Sequence, residues 1–569
     1  MVCAWNFQEP GPSTDFAGLR FLAHWNFPTF SITTPKLHGR EFYKSIGSPK
    51  LVLAPMVDAS EFAWRLLSRS FMPQDQQRDL LAYTPMFHSR LFDELPRYRE
   101  KAFQPLRTTL AAPDPEQLAK YTLEDAHLDG NPKFDRPLFV QFCSNEPDDF
   151  LKAAQHVAPF CDAVDLNLGC PQGIARKGHY GAFLQEDWGL IRSLINKLHE
   201  ELDIPVTAKF RIQETPEKTL EYAKTILDAG ASIITVHGRQ RHQKGHETGL
   251  ADWSVIKYLR ENLPPDTVIF ANGNILQHDD IATCLDATGA DGVMSAEGNL
   301  HDPSIFAPPP APGQEGREYW RGRDGKGGYR MDAVFRRYMD IIHRHVLGQE
   351  PPARQTLFLP SDPLAVSEQG ECSEDGEDGQ PARKKQRQSK REKREQSGDP
   401  NFTPMQAHLF RMLRPLISRY TNVRDALARC RSGDIAAFEN VLQMVEQAVK
   451  EGLIEYEKDP EAFETAPESN GSAAAAEGSE PDPHESSVAA VNRCKRPWFI
   501  CQPYVRPVPK EAMAKGSIQL SKKTLKKMER ESEEARKAGV VPNGKVEETV
   551  VNGKENEKVE IPKDGLVCG

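Results

Sequence analysis

The stretch AVDLNLGCP at residues 163–171 joins an unbroken, mostly apolar run to a Gly-Cys-Pro turn. Such runs are typical of parallel strands that are buried on both faces. Between residues 47 and 307 they alternate with longer segments of helical periodicity. The runs are residues 51–56, 81–86, 138–143, 163–168, 206–212, 233–237, 268–272 and 292–295. Eight alternations predict an α/β fold of the (β/α)8 TIM barrel type, and an open doubly wound sheet is the alternative.

The composition narrows the class of protein. The chain has 569 residues, a formal net charge of −10 and 38% hydrophobic residues, below the roughly 45–50% usual in globular chains. No stretch approaches the roughly 20 apolar residues that cross a membrane. The ten cysteines include no Cys-x-x-Cys pair, which disfavours a structural zinc site and a secreted disulfide scaffold. We therefore exclude a membrane protein, a secreted mini-domain and a wholly disordered chain.

The pattern changes along the chain and predicts its domains. Residues 1–34 form an N-terminal extension that is too poor in arginine for a transit peptide. Residues 35–310 form the barrel, with an expected insertion at 104–135. Residues 328–457 show helical periodicity without strands, which predicts a second, smaller α-helical domain.

Two regions of low complexity interrupt or follow the helical domain. The tract 361–400 is acidic in its first half and strongly basic at 383–394, a composition that predicts disorder. The basic stretch is consistent with nuclear localisation, with an RNA-binding arm or with a solvated charge run. Residues 458–569 form a mostly disordered tail, but the aromatic segment 496–507 is expected to dock on the folded body.

Polar and glycine residues follow the last two predicted strands, at the end of a barrel where active sites lie. Asn272, Gly273 and Asn274 follow the seventh strand, and Ala296 and Glu297 follow the eighth. Backbone N–H groups beside glycine can approach an anion closely, so these loops are predicted to hold a phosphate group. The alternative is that the glycines only allow tight turns.

Three polar residues on other strands are further candidates for ligand binding. Lys209 is predicted to point from the fifth strand toward the ligand, and the alternative is an internal ion pair. Gln141, on the third strand, can donate to and accept from the edge of an electron-rich ring, or can be a satisfied polar strand end. His237 ends the sixth strand and can bind phosphate or a ring edge, although a lone histidine is more often structural.

Cys170 is the reactive candidate. It lies between Gly169 and Pro171 on a constrained turn after the fourth strand. A cysteine there can act as a nucleophile or a proton donor, or it can simply pack. The sequence shows no evident His-Cys pair, and a thiol kept neutral by apolar surroundings suits proton donation better than attack.

The motifs at the strand ends are similar, in order, to those of one enzyme family, the dihydrouridine synthases. The similarity extends over roughly residues 35–460. The ending Glu297-Gly298 and the segment 498–507 resemble the eukaryotic branch that acts at tRNA positions 16 and 17. The shared motifs are Ala-Pro-Met at 54–56, Asp-Leu-Asn-Leu-Gly-Cys-Pro-Gln at 165–172, Lys-x-Arg at 209–211, His-Gly-Arg at 237–239 and Asn-Gly-Asn at 272–274.

This resemblance implies a reaction and its site residues. The family combines an FMN-binding barrel with a helical RNA-binding domain and reduces uridine in tRNA to 5,6-dihydrouridine. NADPH or NADH reduces FMN, hydride passes to C6 of the uracil and Cys170 gives a proton to C5, while Asn167 orients the base or the cysteine loop. The implied cofactor-binding residues are Pro55, Met56, Val57, Gln141, Lys209, His237, Asn272, Gly273, Asn274, Ala296 and Glu297.

The expected partners are tRNA and NAD(P)H, with the protein as a monomer that does not bind membranes and that works in the cytoplasm, the nucleus or both. Basic residues near the cysteine turn and in the helical domain can contact RNA phosphates, and solvated surface is the alternative. These residues are Arg176 and Lys177 after the turn, and Arg411, Arg414, Arg336, Arg337 and Arg419 in the helical domain.

Two rival functions stay open. An FMN barrel that acts on free pyrimidines or enones would need neither the helical domain nor the basic tract. A catalytically idle tRNA-binding scaffold would have no chemical need of Cys170 or Lys209. The first rival function therefore leaves the helical domain and the basic tract unexplained, and the second leaves Cys170 and Lys209 unexplained.

Overall fold

The structure is a computed structural model that describes residues 36–107, 115–363, 398–464 and 487–508. The N-terminal extension, the basic stretch 383–394 and most of the C-terminal tail lie outside the described residues. Within the described ranges, no helix is both long and apolar enough to cross a membrane.

Nine parallel strands form one sheet: β1 (Leu51–Leu53), β2 (Leu80–Tyr83), β3 (Phe87–His88), β4 (Leu138–Cys143), β5 (Ala163–Leu168), β6 (Val206–Arg211), β7 (Ile233–His237), β8 (Val268–Asn272) and β9 (Gly292–Ser295). β1 pairs with both β2 and β9, and β2 also pairs with β4, so eight strand positions close into a ring. β3 continues the second position and pairs with β4. Every residue of β4 to β9 is buried, which explains the unbroken apolar runs. The predicted TIM barrel is confirmed.

Helices follow the strands and cover the outside of the barrel. Side chains cap several of their first turns: Asp187 accepts from the N–H of Leu190, and Thr215 accepts from that of Lys218. The α-helices of this part are Gly39–Ser45, Phe62–Arg69, Ser89–Glu94, Pro96–Ala102, Pro115–Lys120, Pro147–Val157, Gly173–Gly178, Trp188–Glu201, Pro216–Asp228, Trp253–Asn262, Asp279–Thr288 and Glu297–His301. The 3₁₀ helices are Gln74–Asp79, Leu123–Asp125, Ala158–Phe160, Gly181–Glu186 and Gly245–Glu247.

The long connection between β3 and β4 contains the expected insertion, and buried charges anchor it. Arg65 donates to the carboxylates of Asp129 and Asp135 at 2.8 and 2.9 Å. Arg69 donates to Asp135 at 2.9 Å. Because a buried charge without a partner is very costly, these ion pairs fix the insertion to the helix Phe62–Arg69.

The helical part begins after an antiparallel hairpin that sequence reasoning missed. β10 (Tyr319–Arg321) pairs with β11 (Gly327–Tyr329), so the expected boundary near residue 328 falls inside a strand. A three-residue strand gives no distinct apolar run, which explains the miss. The helices of this part are Met331–Ile341, the π-helix Ile342–Leu347, Met405–Met412, Arg414–Arg419, Thr421–Arg429, Ile435–Lys458, Glu461–Glu464 and Ser487–Cys494.

The helical part packs directly on the barrel through His408. The imidazole Nε2 lies 3.1 Å from the carbonyl oxygen of Ala59, and Nδ1 lies 2.9 Å from the hydroxyl of Tyr338. The ring stacks on Trp64 with 4.0 Å between centroids. A carbonyl only accepts, so Nε2 carries the proton and Tyr338 donates to Nδ1. The two parts therefore share one buried contact region.

The segment 496–507 lies against the helical part. Phe499 is fully buried, and its carbonyl oxygen accepts from the N–H of Met331 at 3.0 Å. Gly452 lies in the long helix Ile435–Lys458, where a Cβ atom would lie 2.7 Å from the rings of Trp498 and Phe499. The glycine therefore lets both aromatic rings pack against the helix backbone.

Candidate active site

The polar residues at the carboxyl ends of the strands meet at one mouth of the barrel. A cavity of about 190 Å³ opens there beside the ends of β7, β8 and β9. Pro171 and Arg211 extend its wall toward the cysteine turn. The sequence-predicted residues in its wall are His237, Asn272, Gly273, Asn274, Ala296 and Glu297. The structure thus brings both predicted phosphate loops and the predicted histidine around one space.

Arg239 organises the histidine side of this cavity. Its guanidinium donates to Nε2 of His237 and to Oδ1 of Asn274, both at 3.0 Å. Because a guanidinium only donates, Nε2 accepts and the proton of the neutral imidazole lies on Nδ1. Burial, together with Arg211, Lys209 and Arg239, holds the pKa of His237 well below its ordinary value. The ring is therefore neutral at physiological pH.

The cavity wall carries an excess of positive charge. Among the described residues, one carboxylate, that of Glu297, faces five cationic side chains. Burial and Arg211 lower the pKa of Arg239 to about 10, so it stays protonated. Such a wall suits an anionic group such as a phosphate. The five cations are Arg211, Arg239, Lys244, Arg493 and Arg506.

Asn272 and Gly273 show that the wall is shaped for a bound group. Nδ2 of Asn272 donates to the carbonyl oxygen of Met294 at 3.0 Å, but its buried Oδ1 has no hydrogen-bond partner among the described residues. A buried acceptor without a donor is costly, so a hydroxyl or N–H of a ligand fits there. Gly273 has φ +117°, and a Cβ atom there would lie 2.5 Å from the Cβ of Ala251. The unpartnered Oδ1 fits a cofactor with hydroxyl groups, whereas the close approach of Ala251 accounts for the glycine.

The cysteine turn is held by Asn167. Its Oδ1 accepts from the N–H groups of Gly169 and Cys170 at 3.1 and 2.9 Å. Cys170 is 2% exposed and lies in a small buried cluster with Cys143 and Tyr180. Burial raises the pKa of the neighbouring Cys143 thiol. The surroundings are therefore the apolar ones expected for a cysteine that donates a proton.

Gln141, on β4, and Lys209, on β6, flank the strand β5 that carries Asn167, and neither is among the described residues that line the cavity. Nδ2 of Asn167 donates to Oε1 of Gln141 at 2.7 Å. Lys209 pairs in register with Asn167 and is 5% exposed. Its charge acts on both Asp165 and His237. Asp165 is the carboxylate on which the charge of Lys209 acts, and the internal ion pair kept as an alternative stays a prediction.

Pro55, Met56 and Val57 follow β1 beside this mouth. The N–H of Ala54 donates to the carbonyl oxygen of Ser295 at 3.0 Å, and Ser295 lines the cavity. Pro55 and Met56 are buried, whereas Val57 is partly exposed. The structure therefore places these residues next to the last strand of the ring, on the border of the cavity.

The candidate RNA contacts differ in their surroundings. Arg176 and Lys177 are exposed on the short helix Gly173–Gly178 directly after the cysteine turn. Arg411 is partly buried. Arg414 is exposed, with its guanidinium carbon 3.7 Å from the ring centroid of Tyr504. The first pair therefore offers the least constrained positive charge near Cys170.

The other three arginines predicted to contact RNA form ion pairs within the protein. The side chains of Arg336 and Arg337 are 17% and 25% exposed and each pairs with a carboxylate, and their contact with RNA stays a prediction. Sequence reasoning could not foresee their acidic partners, which come from distant segments. The ion pairs are Arg336 with Glu446, Arg337 with Glu318 and Arg419 with Glu455.

Sequence reasoning missed three contributors to the site. Arg239 stands out in the sequence only as part of the motif His-Gly-Arg at 237–239. Asp165 interrupts an apolar run, and a charge inside a buried strand is itself a signal because it needs partners. Arg506 carried no signal, since it reaches the cavity from a segment more than two hundred residues beyond β9.

Comparison with known proteins identifies the family. The model described as "Dihydrouridine synthase (Dus)" matches residues 52–317. A tRNA-dihydrouridine(16/17) synthase of Schizosaccharomyces pombe is 41% identical over 84% of this chain and 93% of its own length. The Saccharomyces cerevisiae protein of that name is 39% identical over 83% and 87%. A tRNA-dihydrouridine(16/17) synthase-like protein of Mus musculus is 42% identical over 55% of each chain.

The match to the two yeast proteins extends well beyond the barrel and spans most of each relative. It therefore includes more of the chain than the family model itself does. Together with the cysteine turn and the cationic cavity at one barrel mouth, these likenesses settle the relationship. The chain belongs to the dihydrouridine synthase family.

Proposed function

We propose that this protein reduces the C5=C6 bond of uridine to 5,6-dihydrouridine at positions 16 and 17 of the tRNA D-loop. The observation that carries the proposal is the rigid Cys170 turn beside a cationic cavity at the same mouth of the barrel. The names of the yeast relatives, which include these positions and NAD(P)(+), support the choice of substrate and reductant.

FMN is the cofactor that the cavity suits best. Arg239 and the loops at Gly273 and Glu297 would hold its phosphate, and the free Oδ1 of Asn272 would accept from a hydroxyl or N–H group. Gln141 would face the ring edge. When bound and reduced by NADPH or NADH, FMN supplies the hydride that adds to C6 of the uracil.

The residues of the chain supply the proton and the orientation. The C5=C6 bond is conjugated to the C4 carbonyl, so hydride addition at C6 leaves an enolate whose C5 needs a proton. The Cys170 thiol donates that proton, and the resulting thiolate is reprotonated from solvent. Asn167 keeps the turn in place through its two backbone hydrogen bonds. Lys209 places a positive charge beside the developing negative charge.

The substrate is a nucleotide that must leave its stack to reach Cys170. A loop nucleotide does so at low cost, which suits the D-loop. Arg176 and Lys177 lie where the adjoining phosphates would pass. We propose that the protein binds tRNA as a monomer.

The proposed location is the cytoplasm, the nucleus or both, and the basic stretch 383–394 supports import into the nucleus. Deleting residues 361–400 tests this. Loss of the protein from the nucleus would support a localisation signal, and weaker tRNA binding would support an RNA-binding arm. If neither changes, the stretch is a solvated run of charges.

The function is tested by reducing the purified protein with NADPH without oxygen and then adding unmodified tRNA. We expect prompt reoxidation of the flavin absorbance and a dihydrouridine mass gain in the D-loop. Reoxidation by free pyrimidines or enones alone would favour the small-molecule barrel enzyme. A protein without flavin would favour the idle scaffold.

A further inference from the structure

A chain of buried hydrogen bonds links the neighbouring strands β6, β5 and β4 to the cysteine turn. The direction in which these groups donate is fixed at the turn. The backbone N–H groups of Gly169 and Cys170 are unambiguous donors, and both lie within 3.1 Å of one side-chain atom of Asn167. That atom must be the amide oxygen, so the other end of the same amide must donate.

Gln141 continues the same direction of hydrogen-bond donation. Nδ2 of Asn167 lies 2.7 Å from the amide of Gln141, which must present its oxygen there. The NH₂ group of Gln141 then faces Asp165 at 2.8 Å and donates to Oδ2. Thr207 donates its hydroxyl to Oδ1 of Asp165 at 2.6 Å. Asp165 is therefore the acceptor at which both arms of the chain end.

Burial opposes the charged form of a carboxylate at this position. Asp165 is fully buried, and burial raises its pKa to about 6, against the hydrogen bonds from Thr207 and Gln141 and the charge of Lys209. Even with the charge of Lys209 acting on it, a buried carboxylate is often no more stabilising than an apolar residue of similar size. An amide at 165 could accept from Gln141, but its NH₂ would then face Thr207, whose hydroxyl would have to accept instead of donate. Only the carboxylate accepts from both Gln141 and Thr207 with the Thr207 hydroxyl as donor.

We propose that Asp165 is a positioning residue: it fixes the amide of Gln141, and through Asn167 it holds the turn that carries Cys170. The inference rests on the proposed function for its catalytic meaning. The chain of hydrogen bonds itself can be tested without any turnover.

Exchanging the two partners provides the test. In Asp165→Asn the Thr207 hydroxyl must turn from donor to acceptor to face the new NH₂, and in Gln141→Glu two carboxylates face each other. In the double variant Asp165→Asn/Gln141→Glu, the new amide donates to the new carboxylate and accepts from Thr207, while the other carboxylate oxygen accepts from Asn167. All three hydrogen bonds are then possible again, with the charge moved by one residue.

The readout is amide hydrogen exchange in the full-length protein as purified, followed at Gly169 and Cys170. The amides of Val268–Asn272 report global stability. We expect exchange about tenfold faster at the turn in Gln141→Glu and a smaller increase in Asp165→Asn, because the Thr207 hydroxyl can accept from the new NH₂. The double variant should exchange within about threefold of wild type. Rescue is judged by exchange and not by turnover, because a carboxylate at 141 also changes the charge beside the flavin.

A less disruptive pair of variants is used if the proteins with the single substitutions do not fold. Thr207→Val removes one donor to Asp165 without changing shape and should still speed exchange at the turn. Its matched control is Thr235→Val, which removes a buried hydroxyl from the neighbouring strand β7.

Unchanged exchange at Gly169 and Cys170 in both single variants, or a double variant as fast as they are, would overturn the positioning role. If the exchange is rescued while wild-type protein fails to reduce tRNA, the positioning role stands and the proposed function fails.

Discussion

Arg506 and Glu297 form an ion pair that ties the C-terminal segment to the helix after β9. Nη2 and Nε of Arg506 lie 2.8 and 3.0 Å from Oε1 of Glu297. The side chains are 46% and 37% exposed, so the pair contributes at most about 1 kcal/mol to stability. Its main effect is on the cavity, because it compensates a carboxylate in a wall that must hold an anion.

Replacing Arg506 should therefore weaken cofactor binding. We expect Arg506→Gln to raise the Kd for FMN roughly three- to tenfold at low salt, with a smaller effect at high salt because the charges are exposed. Titration of flavin fluorescence measures it. The double variant Arg506→Gln/Glu297→Gln should recover most of the affinity. The control is Arg424→Gln, since Arg424 also forms an exposed ion pair with a carboxylate, that of Asp425. Unaltered FMN binding in Arg506→Gln would show that the C-terminal segment does not contribute to cofactor binding.

Cys170→Ala should bind flavin normally and lose turnover. Loss of a positioned general acid lowers rates by about 10²–10⁴-fold, whereas the cavity wall is untouched. Reoxidation of reduced flavin by tRNA, followed in a single turnover, measures the effect. Cys284→Ala, which removes another buried cysteine from the helix Asp279–Thr288, is the control. Undiminished tRNA reduction in the Cys170 variant would remove its assigned part in the reaction.

Gly273→Ala should destabilise the protein and the cofactor site together. The residue has φ +117°, and the new methyl group would clash with Ala251. Gly313→Ala is matched to it, because Gly313 has φ +85° but no atom within 4 Å of the added Cβ. We expect Gly273→Ala to lose about 1–3 kcal/mol more free energy of unfolding than the control, measured by urea denaturation. Equal losses would mean that backbone conformation alone requires glycine there.

The parts of this site that sequence could predict share one physical origin. Strands buried on both faces appear as apolar runs, and the residues that end them, such as Asn272 and Cys170, meet at one mouth. The ion pair of Arg506 with Glu297 depends on how a distant segment returns to the barrel. The chain through Asp165 depends on strand register, which pairs it with both Gln141 and Thr207. Neither fact can be read from spacing.

His408 should make stability depend on pH. Burial lowers its pKa to about 3, so between about pH 6.5 and 3 the unfolded chain binds a proton that the folded one excludes. Stability is therefore present above pH 6.5 and falls as the pH falls. From pH 7 to 5 this one group accounts for a loss of about 2 kcal/mol.

Urea denaturation of His408→Gln at both pH values measures that contribution. The variant should lose about 2 kcal/mol less than wild type over this range, while the remaining slope includes His301, whose pKa burial lowers to about 4. His242→Gln, at an exposed position, is the control. Identical pH dependence in His408→Gln and wild type would show that His408 does not titrate on unfolding as argued.

Arg176 and Lys177 should contribute to tRNA affinity without reading sequence. They are exposed beside the cysteine turn, and each phosphate contact removed lowers the slope of log K against log salt by roughly 0.7–0.9. The double variant Arg176→Ala/Lys177→Ala should therefore bind tRNA more weakly, with a slope smaller by about 1–2. Arg192→Ala/Lys224→Ala removes two exposed charges from the outer helices Trp188–Glu201 and Pro216–Asp228. Because that control makes the same change in net charge, an equal loss in both variants would indicate general attraction rather than contact at the mouth of the barrel.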